Sequence, residues 1–235
     1  MEIKPQSLNC NHPGHTYSKY TTIYLTPNDE LLQQAISEGT PLSKKYNPSA
    51  PSGRIRNPIE RNIKSIYGML AELSIRLLLQ NEIIKRKISA KILHSTMTLV
   101  NNTFDNQIDI PLEIEGKHYD IEVRSSFPYA ELKSVITYHF DILGPYTTNY
   151  KIKEKEKDYY LRVLFFNEKY ATSKLDSGPE IHFVGGASKD MILKESFTNN
   201  LKQGNAKFHT IKPICKALDS EQIMNLIFSH GKTYE

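Results

Sequence analysis

The stretch that decides the fold is IDIPLEIEGKHYDIEVRSS, residues 108–126, in which apolar and polar residues alternate with period two. A two-residue turn at Glu115-Gly116 is the shortest closure that keeps both halves in alternation. A shift of one residue would move a whole apolar set to the wrong face, so the pattern predicts a β-hairpin with strands over 108–114 and 117–124. In this register the apolar residues pair without exception: Ile108 with Val123, Ile110 with Ile121, and Leu112 with Tyr119.

The other face of the predicted hairpin carries acidic residues. Asp109 would lie directly opposite Glu122, with Asp120 and Arg124 beside Glu122 at two-residue steps. Directly opposite side chains have Cβ atoms about 5 Å apart, and like charges at that distance are destabilising. Two such carboxylates share a proton, pair with a cation or bind a metal ion. Arg124 or Lys117 could neutralise them on a solvated face, so geometry alone leaves both a Mg²⁺ site and an ordinary polar face open.

Outside the hairpin, the sequence predicts one mixed α/β domain, residues 58–235, preceded by an extension, residues 1–57. The extension is polar and punctuated by Pro and Gly, which predicts an irregular segment with one short helix near 28–38. From Pro58, a stripe at steps of four and three predicts an amphipathic helix to about Gln80: Ile59, Ile63, Ile66, Leu70, Leu73 and Leu77. Further strands are expected at Val135–Phe140, Tyr159–Phe166 and Ile181–Val184, and helices around 188–202 and 217–229.

The composition is that of a globular protein: 235 residues, 39% hydrophobic and 24% charged, with a formal net charge of +4. No apolar run approaches the roughly 20 residues that span a bilayer, and the N-terminus lacks the apolar core of a signal peptide. We therefore expect a cytoplasmic protein without a membrane partner. Cys10 and Cys215 lie far apart in sequence and give no disulfide framework. Cys10, His12 and His15 could bind zinc, but a structural zinc site normally has four ligands.

The hairpin resembles a known enzyme superfamily. Ile121-Glu122-Val123-Arg124-Ser125-Ser126 resembles the acidic-x-Lys triplet of the PD-(D/E)XK nucleases, commonly written IEVKSS, and Asp109 stands thirteen positions before Glu122, where the family has its first acidic residue. The segment Gly68-Met69-Leu70-Ala71-Glu72 is similar to the G-x-x-x-E helix that precedes the hairpin in that family. The resemblance covers about residues 58–127 and implies an α/β fold with a restriction-endonuclease-like mixed β-sheet flanked by helices.

The resemblance also implies a reaction. A metal-dependent endonuclease of this family would bind Mg²⁺ or Mn²⁺ through Asp109, Glu122 and the main-chain carbonyl of Val123, with Glu72 holding a second ion or a metal water. The reaction would be in-line attack of metal-activated water on a DNA phosphodiester.

One position departs from the family pattern, because Arg124 stands where the family has its lysine. Arginine cannot act as a base near neutral pH. It can still orient a phosphate and offset charge in the transition state. We expect Arg124 to act electrostatically; alternatively, Lys133 reaches in from the following segment, or the enzyme is slow or inactive.

A cluster of cations suits contacts to DNA phosphates and brackets the start of the predicted long helix: Arg54, Arg56, Arg61 and Lys64. Glu60 interrupts the run, so a solvated surface is the alternative. A restriction-type enzyme would be a homodimer on a palindromic site. The same residues would serve a repair, junction-cleaving or RNA nuclease, and a fold that had lost catalysis would be a non-catalytic nucleic-acid-binding protein.

Overall fold

The computed structural model describes residues 1–12, 15–44, 56–93, 110–148, 153–166, 175, 177–194, 197–200, 206–229 and 231. Its strands are β1 Glu2–His12, β2 His15–Tyr24, β3 Ala90–Ile92, β4 Ile110–Ile114, β5 Lys117–Ser126, β6 Ile142–Thr148, β7 Tyr159–Leu164, β8 Glu180–Ser188, β9 Phe197–Asn200 and β10 Ala206–Ile211. Its α-helices are α1 Glu30–Ser43, α2 Pro58–Arg86, α3 Leu132–Ser134, α4 Lys189–Lys194 and α5 Ser220–Phe228.

The architecture is a seven-stranded sheet in the order β1-β2-β8-β7-β5-β4-β3 and a smaller sheet in the order β6-β10-β9. The large sheet is mixed, because β5 and β7 run parallel while its other neighbours are antiparallel. Helices flank it, so the predicted mixed α/β class is confirmed.

The β4–β5 hairpin has the predicted register. Ile110 pairs with Ile121 and Leu112 with Tyr119. The turn residues Glu115 and Gly116 both have positive φ, 51° and 76°, as a two-residue hairpin turn requires. Ile108 and Asp109 lie outside the described residues, so the predicted pairs that contain them are not described.

Helix α2 starts and ends on clear signals. The Asn57 side chain accepts the N–H of Glu60, Pro58 occupies the first turn, and the C-cap residue Lys87, which follows the helix, has the left-handed conformation. The apolar stripe is confirmed at Ile66 and Leu70, which are buried against the large sheet, although Ile59 in the first turn is 67% exposed. The helix extends to Arg86, beyond the predicted end near Gln80.

A second core lies on the opposite face of the large sheet. There β7 and β8 pack against the small sheet and against a π-helical turn, Val135–His139, that continues α3. The predicted strand over Val135–Phe140 is therefore wrong. Its β-branched residues are buried, but the backbone closes on itself, and the Phe140 N–H bonds the Val135 carbonyl at 3.1 Å. The predicted helix over 188–202 is also shorter, since it ends at Lys194 and residues 197–200 form β9, paired with β10.

The prediction of an irregular extension over residues 1–57 is wrong for its described strands. Strand β2 pairs with β8, so β1 and β2 form one end of the large sheet. The Tyr-, Thr- and Ile-rich composition of 17–24 is typical of a strand. Ile23 belongs to the core under α2. Helix α1, predicted near 28–38, spans Glu30–Ser43.

The predicted C-terminal helix over 217–229 is confirmed as α5, where Asp219 and Gln222 form a capping box. The fold also brings the two cysteines together, because Cys10 and Cys215 are both buried in the second core and each thiol influences the pKa of the other. Cys10 therefore faces the protein interior; the side chains of His12 and His15 lie outside the described residues. No helix in the described parts of the chain combines the length and the apolar character that crossing a membrane requires.

Candidate active site

The candidate site is built on the polar face of β5. Ile121 is fully buried in the core under α2, so Glu122 and Arg124 lie toward the small sheet on the other side. Strand β7 runs parallel beside β5, with Arg162 paired to Arg124. Val123, whose carbonyl is predicted to bind metal, lies between the two charged residues, and its side chain packs against the core under α2.

Arg124 is held by contacts from three directions. Its Nη2 donates to both carboxylate oxygens of Glu154, at 2.6 and 2.8 Å, and lies 3.4 Å from Oε1 of Glu122. The guanidinium carbon lies 5.7 Å from the centroid of the Tyr146 ring and 5.6 Å from that of Phe208, which are cation–π distances. The three charged side chains are mostly buried, with exposures of 17% for Arg124, 15% for Glu154 and 12% for Glu122.

Glu154 is a residue of the charged cluster that the sequence did not reveal. It belongs to KIKEKEKD, 151–158, which reads as a solvated charged loop. In the fold, Glu154 is tied to Tyr146 twice: its N–H donates to the Tyr146 carbonyl at 2.9 Å, and its Oε2 accepts the Tyr146 N–H at 3.2 Å. Burial raises the pKa of Glu154, Arg124 opposes that rise, and the charge of Glu122 adds to it.

Glu72, the predicted ligand of a second ion, lies on α2 and is mostly buried. Its Oε1 pairs with Arg76 at 3.0 Å, and Arg76 also donates to the Leu93 carbonyl at 3.2 Å. Burial raises the pKa of Glu72; Arg76 counteracts this, while the charges of Glu38 and Glu122 reinforce it. The charge of Glu122 therefore influences Glu72, although the Glu122 side chain points away from the core under α2.

A second arginine, Arg162, lies beside Arg124 on the neighbouring strand β7. Arg162 is buried, donates to the Ser126 hydroxyl at 2.9 Å and lies over the Phe140 ring. Burial, together with the charge of Arg124, lowers the pKa of Arg162 to about 10, and Asp141 opposes the shift. Arg124 and Arg162 thus give this part of the site positive charge, and the carboxylates of Glu122 and Glu154 offset it.

The predicted DNA-contacting cations lie toward one end of the sheet. Tyr67 of α2 packs edge-on against Phe127 and Phe165. Phe127 directly follows β5 and Phe165 directly follows β7, so the first half of α2 lies at the carboxyl ends of these strands. Arg61 and Lys64 lie one to two turns before Tyr67, and exposed Lys133 lies in α3 shortly after β5.

These cations differ in their surroundings. Lys64 pairs with Glu60 at 3.5 Å on the surface of α2. Arg56 precedes the N-cap residue Asn57 and is partly exposed. Arg54, like Asp109, lies outside the described residues.

The carboxylates fit a hard divalent cation better than a softer metal. Within the described residues, no group of three or more His, Cys, Asp and Glu side chains is arranged to hold a metal ion. Mg²⁺, however, needs only one or two carboxylates, because water and phosphate oxygens complete its shell. Among the described residues the Glu122 carboxylate has one charged partner, Arg124, and the repulsion between Glu122 and Glu72 is of the kind that a cation relieves.

No family model matches the chain, and no solved structure matches it significantly. The chain is similar to an uncharacterized protein, MJECS01, of Methanocaldococcus jannaschii, with 27% identity over 255 aligned positions that cover 91% of this chain and 92% of the relative. The similarity extends over almost the full length of both proteins, and the relative's name assigns it no activity.

Proposed function

We propose that this protein is a divalent-metal-dependent endonuclease that hydrolyses DNA phosphodiester bonds, of the PD-(D/E)XK superfamily and of restriction type. The observation that supports the proposal is the mostly buried pair of Glu122 and Arg124 on one face of the motif strand, 3.4 Å apart. The charge of Glu122 also raises the pKa of Glu72, on the helix before the hairpin, which the motif order expects at the same site.

Each residue has a defined role in the proposal. Glu122 and the Val123 carbonyl, with Asp109 assigned from the sequence motif, would hold Mg²⁺ or Mn²⁺, and Glu72 would bind a second ion or its water. A bound ion would supply an acidified water as nucleophile and would neutralise charge on the phosphate. The burial of Glu72 and Glu122 limits competition from bulk water and strengthens their attraction for a cation.

Arg124 would act as a fixed positive charge. Its guanidinium stays protonated, so it cannot take a proton from water near neutral pH. Contacts with Glu154, Tyr146 and Phe208 fix its position beside Glu122, where a positive charge would stabilise a phosphate as negative charge develops. Lys133, exposed on α3, remains available for a phosphate contact.

DNA would approach the carboxyl ends of β5 and β7. Arg61 and Lys64 on α2, together with Lys133 on α3, lie toward this end, and the predicted contacts of Arg54 and Arg56 would extend the cationic surface. Phosphate contacts of this kind fix register without reading sequence. A homodimer would present two such sites to a two-fold symmetric DNA sequence.

The experiment that tests the proposal is incubation of the purified protein with supercoiled plasmid and genomic DNA in Mg²⁺ or Mn²⁺. Controls contain EDTA or the Glu122→Gln variant, which keeps the size of the side chain and removes its charge. Discrete fragments that disappear in both controls are expected. Cleavage that persists in Glu122→Gln would refute the assignment.

A second candidate is a non-catalytic nucleic-acid-binding protein, and one observation favours it: the side chain in the lysine position is an arginine already paired with Glu154. Such a protein would retard DNA on a gel equally with and without EDTA and would cleave it in neither condition. Parallel incubation with RNA and with branched DNA separates the remaining alternatives, an RNA nuclease and a repair or junction-cleaving nuclease.

A further inference from the structure

Arg124 lies between two carboxylates and is closer to one of them than to the other. Its Nη2 lies 2.6 and 2.8 Å from the two oxygens of Glu154 but 3.4 Å from the nearest oxygen of Glu122. The first two distances are those of charge-assisted hydrogen bonds, and the third is longer than such a bond. Glu154 is therefore the principal counter-ion of Arg124, and Glu122 has only a weaker, longer contact.

Glu154 is anchored independently of Arg124. Its backbone N–H and its side-chain Oε2 bind the carbonyl and the N–H of the same residue, Tyr146. The Tyr146 and Phe208 rings then contact the guanidinium from the small sheet. These contacts hold the arginine on the small-sheet side of the site.

Without this anchor, Arg124 would pair with Glu122. Arginine remains charged at all ordinary pH values. Among the described residues, Glu122 is the other carboxylate within 4 Å of Nη2. A full guanidinium–carboxylate pair would neutralise Glu122 and occupy the oxygens that a divalent cation needs.

We propose that Glu154 is a positioning residue that keeps the Arg124 cation off Glu122 and so leaves the Glu122 carboxylate available to a divalent cation. The inference rests on the proposed function in one respect, namely that Glu122 binds the ion. It adds that the exchange of the family's lysine for arginine is matched by a carboxylate from the loop before β7.

The test is the affinity for Mn²⁺, measured by titration calorimetry on the full-length protein without DNA. Four proteins are compared with the wild type: Glu154→Gln, Arg124→Met, the double variant, and Glu156→Gln. Glu156 is an exposed glutamate of the same charged run, so its replacement is a matched control for the loss of one negative charge. Circular dichroism and thermal melts establish that each variant is folded.

We expect Glu154→Gln to weaken Mn²⁺ binding roughly 10- to 100-fold, the range usual for residues that orient metal ligands. The double variant should regain affinity close to that of the wild type, because the competing cation is gone. Glu156→Gln should bind as the wild type does. A structural or ligand role for Glu154 would not produce this rescue.

The outcomes separate the inference from the proposed function. Absence of Mn²⁺ binding by the wild type would overturn both. Normal binding by Glu154→Gln would overturn the inference and leave the metal site intact. Weak binding by Glu154→Gln that the double variant does not restore would also overturn it, since Glu154 would then serve the ion or the fold directly.

Discussion

Replacing Arg124 with methionine tests whether the charged cluster also supports the fold. The variant leaves Glu154 and Glu122 mostly buried without their shared cation, while the methionine retains apolar contact with Tyr146 and Phe208. Removing one partner of a buried ion pair typically destabilises a protein by about 3–5 kcal/mol. Because Arg124 and Glu154 keep 17% and 15% exposure, we expect the lower end, about 3 kcal/mol at pH 7.

The destabilisation should depend on pH in a known direction. Arg124 lowers the pKa of Glu154 against the rise that burial causes, so its removal leaves the native pKa further above that of the unfolded chain. The native variant then binds protons more tightly than the unfolded chain. Its stability therefore falls as the pH rises from about 4.3, the usual value for Glu, through the native pKa.

Urea denaturation of wild type and Arg124→Met at pH 4 and pH 7 measures both effects. The deficit of the variant should be larger at pH 7 than at pH 4. A loss below about 1 kcal/mol at pH 7, which is the scale of an exposed pair, would refute the view that the cluster is buried and mutually dependent.

Three further predictions follow from single residues. Glu72→Gln should abolish cleavage yet raise the unfolding free energy at neutral pH, because burial disfavours the charged form; chemical denaturation should show the gain shrinking toward pH 4, and no gain at neutral pH would contradict the assignment. Gly185→Ala should destabilise the protein by about 1–3 kcal/mol or more, since Gly185 has φ of +119° and an added Cβ would lie 2.1 Å from the Leu218 carbonyl oxygen. Gly68→Ala is the control: its added Cβ would meet nothing within 4 Å, so chemical denaturation should show a neutral or stabilising effect. Lys133→Glu should weaken DNA retardation and flatten its salt dependence, and unchanged binding would remove this residue from the interface.

Local pattern predicts the elements of the site well. The β4–β5 register follows from alternation and a two-residue turn, and α2 follows from its Ile and Leu stripe, because each depends on residues close in sequence. The alternation also places Glu122 and Arg124 on one face before any tertiary contact is known. These interactions are short-range, so the sequence is sufficient to specify them.

Long-range pairing explains what the sequence did not reveal. Strand β2 acquires its neighbour β8 from about 160 residues away, as in the Thr22–His182 contact, and nothing near residue 22 signals that partner. The role of Glu154 likewise depends on Tyr146 and Arg124, while its local sequence does not distinguish it from Glu156. The segment Val135–His139 is rich in β-branched residues, yet it forms a helical turn whose residues Val135 and Ile136 pack in the second core.

The Phe208 ring against Arg124 has a consequence for the order of assembly. During synthesis, every predicted metal ligand emerges from the ribosome before β10, which carries Phe208. Contacts between residues far apart in sequence form late, because the chain between them must lose conformational entropy before the contact contributes any stabilisation. We therefore expect the aromatic wall around Arg124 to be among the last parts of the fold to form, so that a chain shortened before β10 would contain the whole nuclease-like motif without the surroundings that hold Arg124 in place.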